Sequence, residues 1–99
     1  MNEYIEIEGK YQKILKIISD NGFVLIGQIN MDYYSFSLKI DVDKSEKKFA
    51  NTLELYKLFA SNGFNKVSVY YRDSINKLSE NNAWENVKCN VYDVTINID

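Results

Sequence analysis

The chain contains no histidine and a single cysteine, and these two shortages remove most of the usual catalytic chemistry. Histidine is the common general base near neutral pH and the commonest metal ligand. Cys89 therefore has no partner for a Cys–His dyad. One thiol cannot close an internal disulfide, which fits a reducing compartment. Lying between Val87 and Val91, it is expected to be a buried structural thiol. Glycine is also sparse: the four residues are scattered, without GxGxxG or GxxxxGKS/T spacing, and no zinc-ligand spacing occurs. Ser45 and Ser79 have no triad partners. No apolar run approaches the ~20 residues that a membrane-spanning helix needs. The acidic start, MNEYIEIEG, lacks the basic segment of a signal peptide, so a cytoplasmic location is expected, with no membrane partner.

Charge of one sign is lacking too. A net charge of −2 without a basic run argues against binding nucleic acid by neutralising phosphates. The same charge is too small for mimicry of DNA by bulk negative charge. Carboxylates are the remaining candidates for chemistry. Asp41 and Asp43 lie two apart at a strand end, and Glu3, Glu6 and Glu8 cluster near the start. A pair of aspartates can contribute to a Mg²⁺ site, but such sites usually need more ligands. Asp43 also has a simpler role as a helix cap. The chain is read as non-enzymatic, with no cofactor and no metal.

What is present is an internal echo. Lys16–Phe23 and Lys57–Phe64 both read lysine, two apolar residues, two small or polar residues, then Asn-Gly-Phe. Glycine just past a helix favours the left-handed C′ conformation, so each copy is read as a helix end followed by a strand. Residues 99 in number and 45% hydrophobic suit one domain, 1–99, with a core that needs no staples.

Taken in order, Glu3–Glu8 alternates and reads as a strand that Gly9 ends. Tyr11, Ile14, Leu15 and Ile18 then form a helical stripe, with Lys10, Lys13 and Lys16 on the wet side. Phe23–Ile29 and Tyr33–Val42 read as a hairpin across Asn30-Met31-Asp32, with Tyr34, Phe36, Leu38, Ile40 and Val42 on one side. Asp43 and Glu46 fit a capping box at the start of a second helix, whose stripe is Phe49, Leu53, Tyr56 and Ala60 with Thr52 and Phe59 alongside, and Leu58 a misfit. Lys66–Arg72 reads as a strand with Val67, Val69 and Tyr71 inside. Asp73–Asn86 reads as a loop pinned by Ile75, Leu78 and Trp84. Val87–Ile98 is a last strand whose parity switch calls for a bulge near Val91–Asp93.

The expected fold is α+β, one antiparallel-rich sheet with two helices on one face. Its order is the ferredoxin-like β-α-β-β-α-β plus a C-terminal strand, or two αββ units if Glu3–Glu8 is not in the sheet.

Eight tyrosines and one tryptophan stand out in a chain this small. Both residue types favour interfaces, because they are large, rather rigid and amphipathic. Tyr33, Tyr70 and Tyr4 are expected opposite the apolar side of their segments, on the open sheet face. Trp84 and Glu85 in the Asp73–Asn86 loop complete the binding candidates, although a ring as large as Trp84 also suits a plug buried beneath its loop. Lysine makes up eleven of the twelve basic residues, and Asn, Ile and Tyr are abundant. These residues have AT-rich codons, which points to a low-GC bacterium or its phages. The function expected is a small non-enzymatic protein-binding domain, a stoichiometric inhibitor or adaptor of phage or mobile-element origin. Its target would be a bacterial protein such as a defence nuclease. The alternatives are single-stranded nucleic-acid binding on an aromatic sheet face, with Lys10, Lys13, Lys16 and Arg72 as a modest patch, and a dimeric small-ligand sensor. A homodimer through an edge strand, with Val87–Ile98 as the edge, is the remaining partner expectation.

Overall fold

Ile7, Tyr11, Ile14 and Ile18 are spaced four, three and four apart, and this spacing carries a single helix through the segment read as a strand. The computed structural model describes the backbone of residues 3–98 and the side chains of residues 5–98, so the side chains of Glu3 and Tyr4 lie outside it. Helix α1 spans Glu3–Asp20. Two isoleucines in alternation are too few to define a strand. Ile7 joins the helical stripe, while Ile5 is left 65% exposed. Gly9 sits within the helix, with open space where a Cβ would be. Among the described side chains of α1, Ile14 and Ile17 are the two buried in the core.

Both helices end as their shared sequence implies. The Phe23 N–H donates to the Ile18 carbonyl at 3.0 Å and the Phe64 N–H to the Phe59 carbonyl at 3.1 Å, the long closing bond of a Schellman cap. The asparagine before each glycine adds a second tie. Asn21 Nδ2 donates to the Ile17 carbonyl at 2.7 Å and Asn62 Nδ2 to the Leu58 carbonyl at 2.8 Å.

The segment after α1 makes two short strands, β1 (Val24–Leu25) and β2 (Asn30–Met31), which both pair antiparallel with β3 (Ser35–Asp41). The register changes by two residues between them, so residues 26–29 bulge out. The turn falls at Asp32–Tyr34 rather than Asn30–Asp32. Asp32 Oδ1 accepts the Tyr34 and Ser35 N–H groups there, at 2.9 and 3.1 Å. Tyr34 consequently lies in the turn, exposed, and not on the buried side of β3, where Phe36, Leu38 and Ile40 are.

The second helix starts later than the expected capping box at Asp43–Glu46. α2 spans Thr52–Ser61, with Asn51 as N-cap: Asn51 Oδ1 accepts the Glu54 N–H at 3.1 Å, and Glu54 Oε2 accepts the Ala50 N–H at 2.9 Å. Its buried residues are Leu55 and Phe59, whereas Leu53 is exposed, so the expected stripe is rotated and Leu58 packs against the core. The Asp43–Glu46 stretch is a loop. The buried Ser45 hydroxyl ties it down, donating to the Asp41 carbonyl at 2.6 Å and accepting the Val24 N–H at 2.9 Å. Ser45→Ala leaves both groups without that partner, and should cost about 1–2 kcal/mol in a urea melt. A change below experimental error would show that water replaces the hydroxyl without loss.

Strands β4 (Val67–Leu78) and β5 (Trp84–Asn97) form a long hairpin where a loop was expected. The sheet order is β1-β3-β5-β4, with β2 also on β3, and every pairing is antiparallel. The described residues are thus α+β, with a five-stranded antiparallel sheet and two helices, in the order α-β-β-β-α-β-β. With β1 and β2 counted as one interrupted strand, each repeat is an αββ unit. β5, expected at an edge, lies between β3 and β4 along Val91–Asn97. Ile14, Ile17, Leu55 and Phe59 from the helices pack with Phe36, Leu38, Ile40, Tyr92, Val94 and Ile96 in one cluster, so both helices cover the same sheet face.

Candidate functional site

Strand alternation places Ser35, Ser37, Lys39 and Asp41 of β3 on the face opposite the helices, with Ser68, Tyr70 and Arg72 of β4 and Asp93, Thr95 and Asn97 of β5. This face is polar. Its one aromatic among these residues is Tyr70, 64% exposed, directly across from Asp93, which receives the Arg72 Nε–H at 2.9 Å. Tyr71, expected inside, is exposed. Its hydroxyl donates to Asn90 Oδ1 and its ring stands edge-on to Tyr92. The Tyr92 phenol, mostly buried, is pushed to a higher pKa by that burial and then by the Glu54 charge.

The lysine stripe does not join Arg72, which is on the other face of the sheet. Lys10 donates to the Ile98 carbonyl at 2.7 Å, Lys13 lies 5.8 Å from the Phe64 ring centroid, and Lys16 pairs with Asp20 at 3.0 Å. An aromatic stacking surface lined by these cations is therefore not what the fold assembles.

Tyr33 lies in the β2–β3 turn, 90% exposed. With Ile7, Tyr11, Ile29 and Met31 it lines an apolar groove of about 610 Å³ that Glu8 and Asp32 border. The Tyr34 N–H, then the Ser35 hydroxyl, hold the Asp32 carboxyl below its ordinary pKa, which favours its carboxylate form.

The other candidates lie at the far end of the molecule. β3 ends its pairing with β5 at Asp41↔Val91, and beyond that point β4 and β5 continue alone as a two-stranded ribbon. Arg72 pairs with Val91 and Ser74 with Lys88, so Cys89 and Asn90 both stand opposite Asp73. This is the bulge that the parity of the last strand demanded, slightly nearer the tip than Val91–Asp93. It leaves Cys89 partly exposed rather than buried. A short turn closes the tip. The Ser79 N–H donates to the Ala83 carbonyl at 2.8 Å, and Asn82 takes the left-handed φ of 60° that asparagine tolerates.

Asn86 Nδ2 reaches both Ser74 Oγ and Asn76 Oδ1, which puts residues 74, 76 and 86 on one face of the ribbon. By alternation Leu78 and Trp84, the last cross-strand pair, share that face, while Lys77 and Glu85 pair on the opposite one. Trp84 is not a plug beneath a loop: it is 74% exposed and Leu78 49%. Ile75 and Val87 form a second apolar pair further down. Trp84 and Glu85 are therefore neighbours in sequence but point to opposite faces. Thirteen steps of β5 at ~3.3 Å each separate Trp84 from the end of the strand beside Tyr33, roughly 40 Å, in a molecule whose long axis is 46 Å. Tyr33, Tyr70 and the hairpin tip are three separate surfaces.

The aspartate pair is occupied locally. Asp41 Oδ1 accepts the Lys44 N–H at 3.1 Å, and the Asp43 carboxylate accepts Asn90 Nδ2 at 3.1 and 3.2 Å. Asp43 therefore fastens the base of the hairpin instead of capping α2. Among the described residues no three His, Cys, Asp or Glu side chains group as a metal site, and no helix is long and apolar enough to cross a membrane. No protein-family model matches the chain, and no curated protein or solved structure shows significant similarity to it.

Proposed function

We propose that this chain is a non-enzymatic protein-binding domain, an inhibitor or adaptor, that engages its partner with the tip of the β4–β5 hairpin. The observation that carries the reading is the Leu78–Trp84 pair, held in water on a ribbon that extends past β3. Tryptophan is among the side chains that gain most from burial, and cross-strand contact with Leu78 leaves three-quarters of it exposed. An amphipathic ring on a rigid strand loses little conformational entropy when a partner covers it, which suits a binding anchor. The AT-rich composition makes a bacterial protein, such as a defence nuclease met by a phage or mobile element, the kind of target to look for.

The test is affinity capture of the tagged chain from a low-GC bacterial lysate, with and without nuclease, followed by titration of the recovered partner. Trp84→Ala should weaken binding at least about tenfold and shift the melting temperature by no more than about 3 °C. Unchanged affinity would remove the tip from the interface. Recovery that vanishes on nuclease treatment would transfer the function to nucleic acid.

A further inference from the structure

The two repeats treat the two edges of the sheet differently. In the first repeat the edge is broken into two strands of two residues each, separated by the bulge at 26–29. In the second, β4 runs unbroken for twelve residues at the end of the strand order. The extra residue of the hairpin bulge belongs to β5, so β4 keeps strand spacing along its outer side. Native edges are normally blunted by short strands, bulges or proline, because a free row of N–H and C=O groups templates another strand. The first edge carries such a device. The second has no such break, its charges Arg72, Asp73 and Lys77 are confined to the half nearer the hairpin tip, and its VSVYY segment is uncharged and rich in β-formers.

We propose that a second copy of this chain adds to this edge, β4 against β4, antiparallel about a two-fold axis normal to the sheet at Tyr71. Such an axis keeps the two open faces on the same side, so the register must centre on one residue. Centring on Arg72 or Asp73 sets that charge directly against its own copy, and centring on Val69 sets Lys66 against Arg72; like charges opposite each other are destabilising. Centring on Tyr71 places Tyr70 across from Arg72 of the second copy, twice, as cation and aromatic face. It sets Tyr71 against itself and Val67 against Ile75, at the cost of Val69 opposite Asp73. Centring on Tyr70 shortens the overlap and loses the two Tyr70–Arg72 contacts. The Tyr71 register spans residues 67–75, which leaves both hairpin tips free at opposite ends of one continuous sheet. It does not depend on the hairpin having a partner.

Sedimentation equilibrium of the whole chain over a concentration series tests this directly. A reversible dimer is expected, and a monomer up to sub-millimolar concentration overturns the proposal. Ser68 and Ser74 face each other across the two-fold in this register, so charges placed there report it. The double variant Ser68→Glu with Ser74→Glu should weaken the dimer roughly tenfold, whereas Ser68→Lys with Ser74→Glu should retain it. Equal association of the two folded variants would place the contact elsewhere and overturn the register. Should either variant unfold, hydrogen exchange on the unaltered chain decides. The β4 amides should slow as concentration rises, and exchange independent of concentration overturns the edge.

Discussion

Phe59→Ala should lower the unfolding free energy by about 3–5 kcal/mol, the largest effect expected from any single substitution discussed here. Phe59 is fully buried in α2, and its ring meets Phe64 edge-on, with centroids 6.4 Å apart. The two rings lie on either side of the cap that ends the helix, so removing one opens a cavity and loosens the turn into β4. The Phe64 backbone cannot shift to fill the gap, because its own N–H closes the cap on the Phe59 carbonyl. A domain of this size has roughly 5–15 kcal/mol of stability in total, so the variant should be partly unfolded near physiological temperature. The corresponding residue in the first repeat, Ile18, only packs against the edge of the core, and Ile18→Ala should cost clearly less. Urea melts of the two variants make the comparison. Equal losses, or a Phe59 loss below about 1.5 kcal/mol, would mean that the core closes over the missing ring.

That asymmetry marks how far the sequence could be read. The repeat itself was legible because a helix cap is a local device: Asn-Gly-Phe gives the same asparagine side-chain tie and the same closing phenylalanine N–H bond in both copies, whatever packs around them. The buried side of β3 was legible for the same kind of reason, since Phe36, Leu38 and Ile40 alternate with polar residues at one buried face. Where a local signal misled, packing had decided otherwise. Asp43 with Glu46 reads as a helix start, yet the helix begins at Asn51 with Glu54, which brings Leu55 and Phe59 onto the core. Ile5 and Ile7 fit a strand as well as they fit the first turns of a helix, and it is Ile7 on the stripe with Tyr11 and Ile14 that settles the matter.

The hairpin tip was hidden for a different reason. Alternation reveals a strand when one face is buried, and both faces of the ribbon from Ser74 to Lys88 are largely wet. Serine and asparagine at positions 74, 76 and 86 therefore read as loop, although they hydrogen-bond to one another across the strands. Alternation points Tyr33 and Tyr70 outward and composition puts Trp84 and Glu85 in a loop, and all four side chains are exposed. Their separation was not legible, because distance along a sheet depends on register and not on composition. This separation is also what singles out the hairpin: Tyr70 stands among polar neighbours and Tyr33 edges a groove, whereas Trp84 projects with an apolar partner beside it.

Gly22→Ala and Gly63→Ala should differ although the two glycines end equivalent helices. Both have left-handed backbones, φ 62° and 93°, and an added Cβ costs about 1–2 kcal/mol at either. At Gly63 the new methyl would meet only Lys13 Nζ at 3.3 Å, the far end of a flexible side chain that can move aside. At Gly22 it would fall 2.7 Å from Glu46 Cβ, an atom that no side-chain rotation displaces. The loop cannot simply retreat, because the Glu46 N–H donates to the Gly22 carbonyl at 2.9 Å and the buried Ser45 beside it is bonded to Val24. Overpacking of this kind adds about 1–3 kcal/mol, so Gly22→Ala should lose about 2–5 kcal/mol and Gly63→Ala only the about 1–2 kcal/mol of its backbone. Chemical denaturation of both variants measures the difference. A larger loss at Gly22 would show that the 43–51 loop is locked against the first repeat. Equal losses would show that it yields, leaving α1 and β1 free to shift by the few tenths of an ångström that the methyl needs.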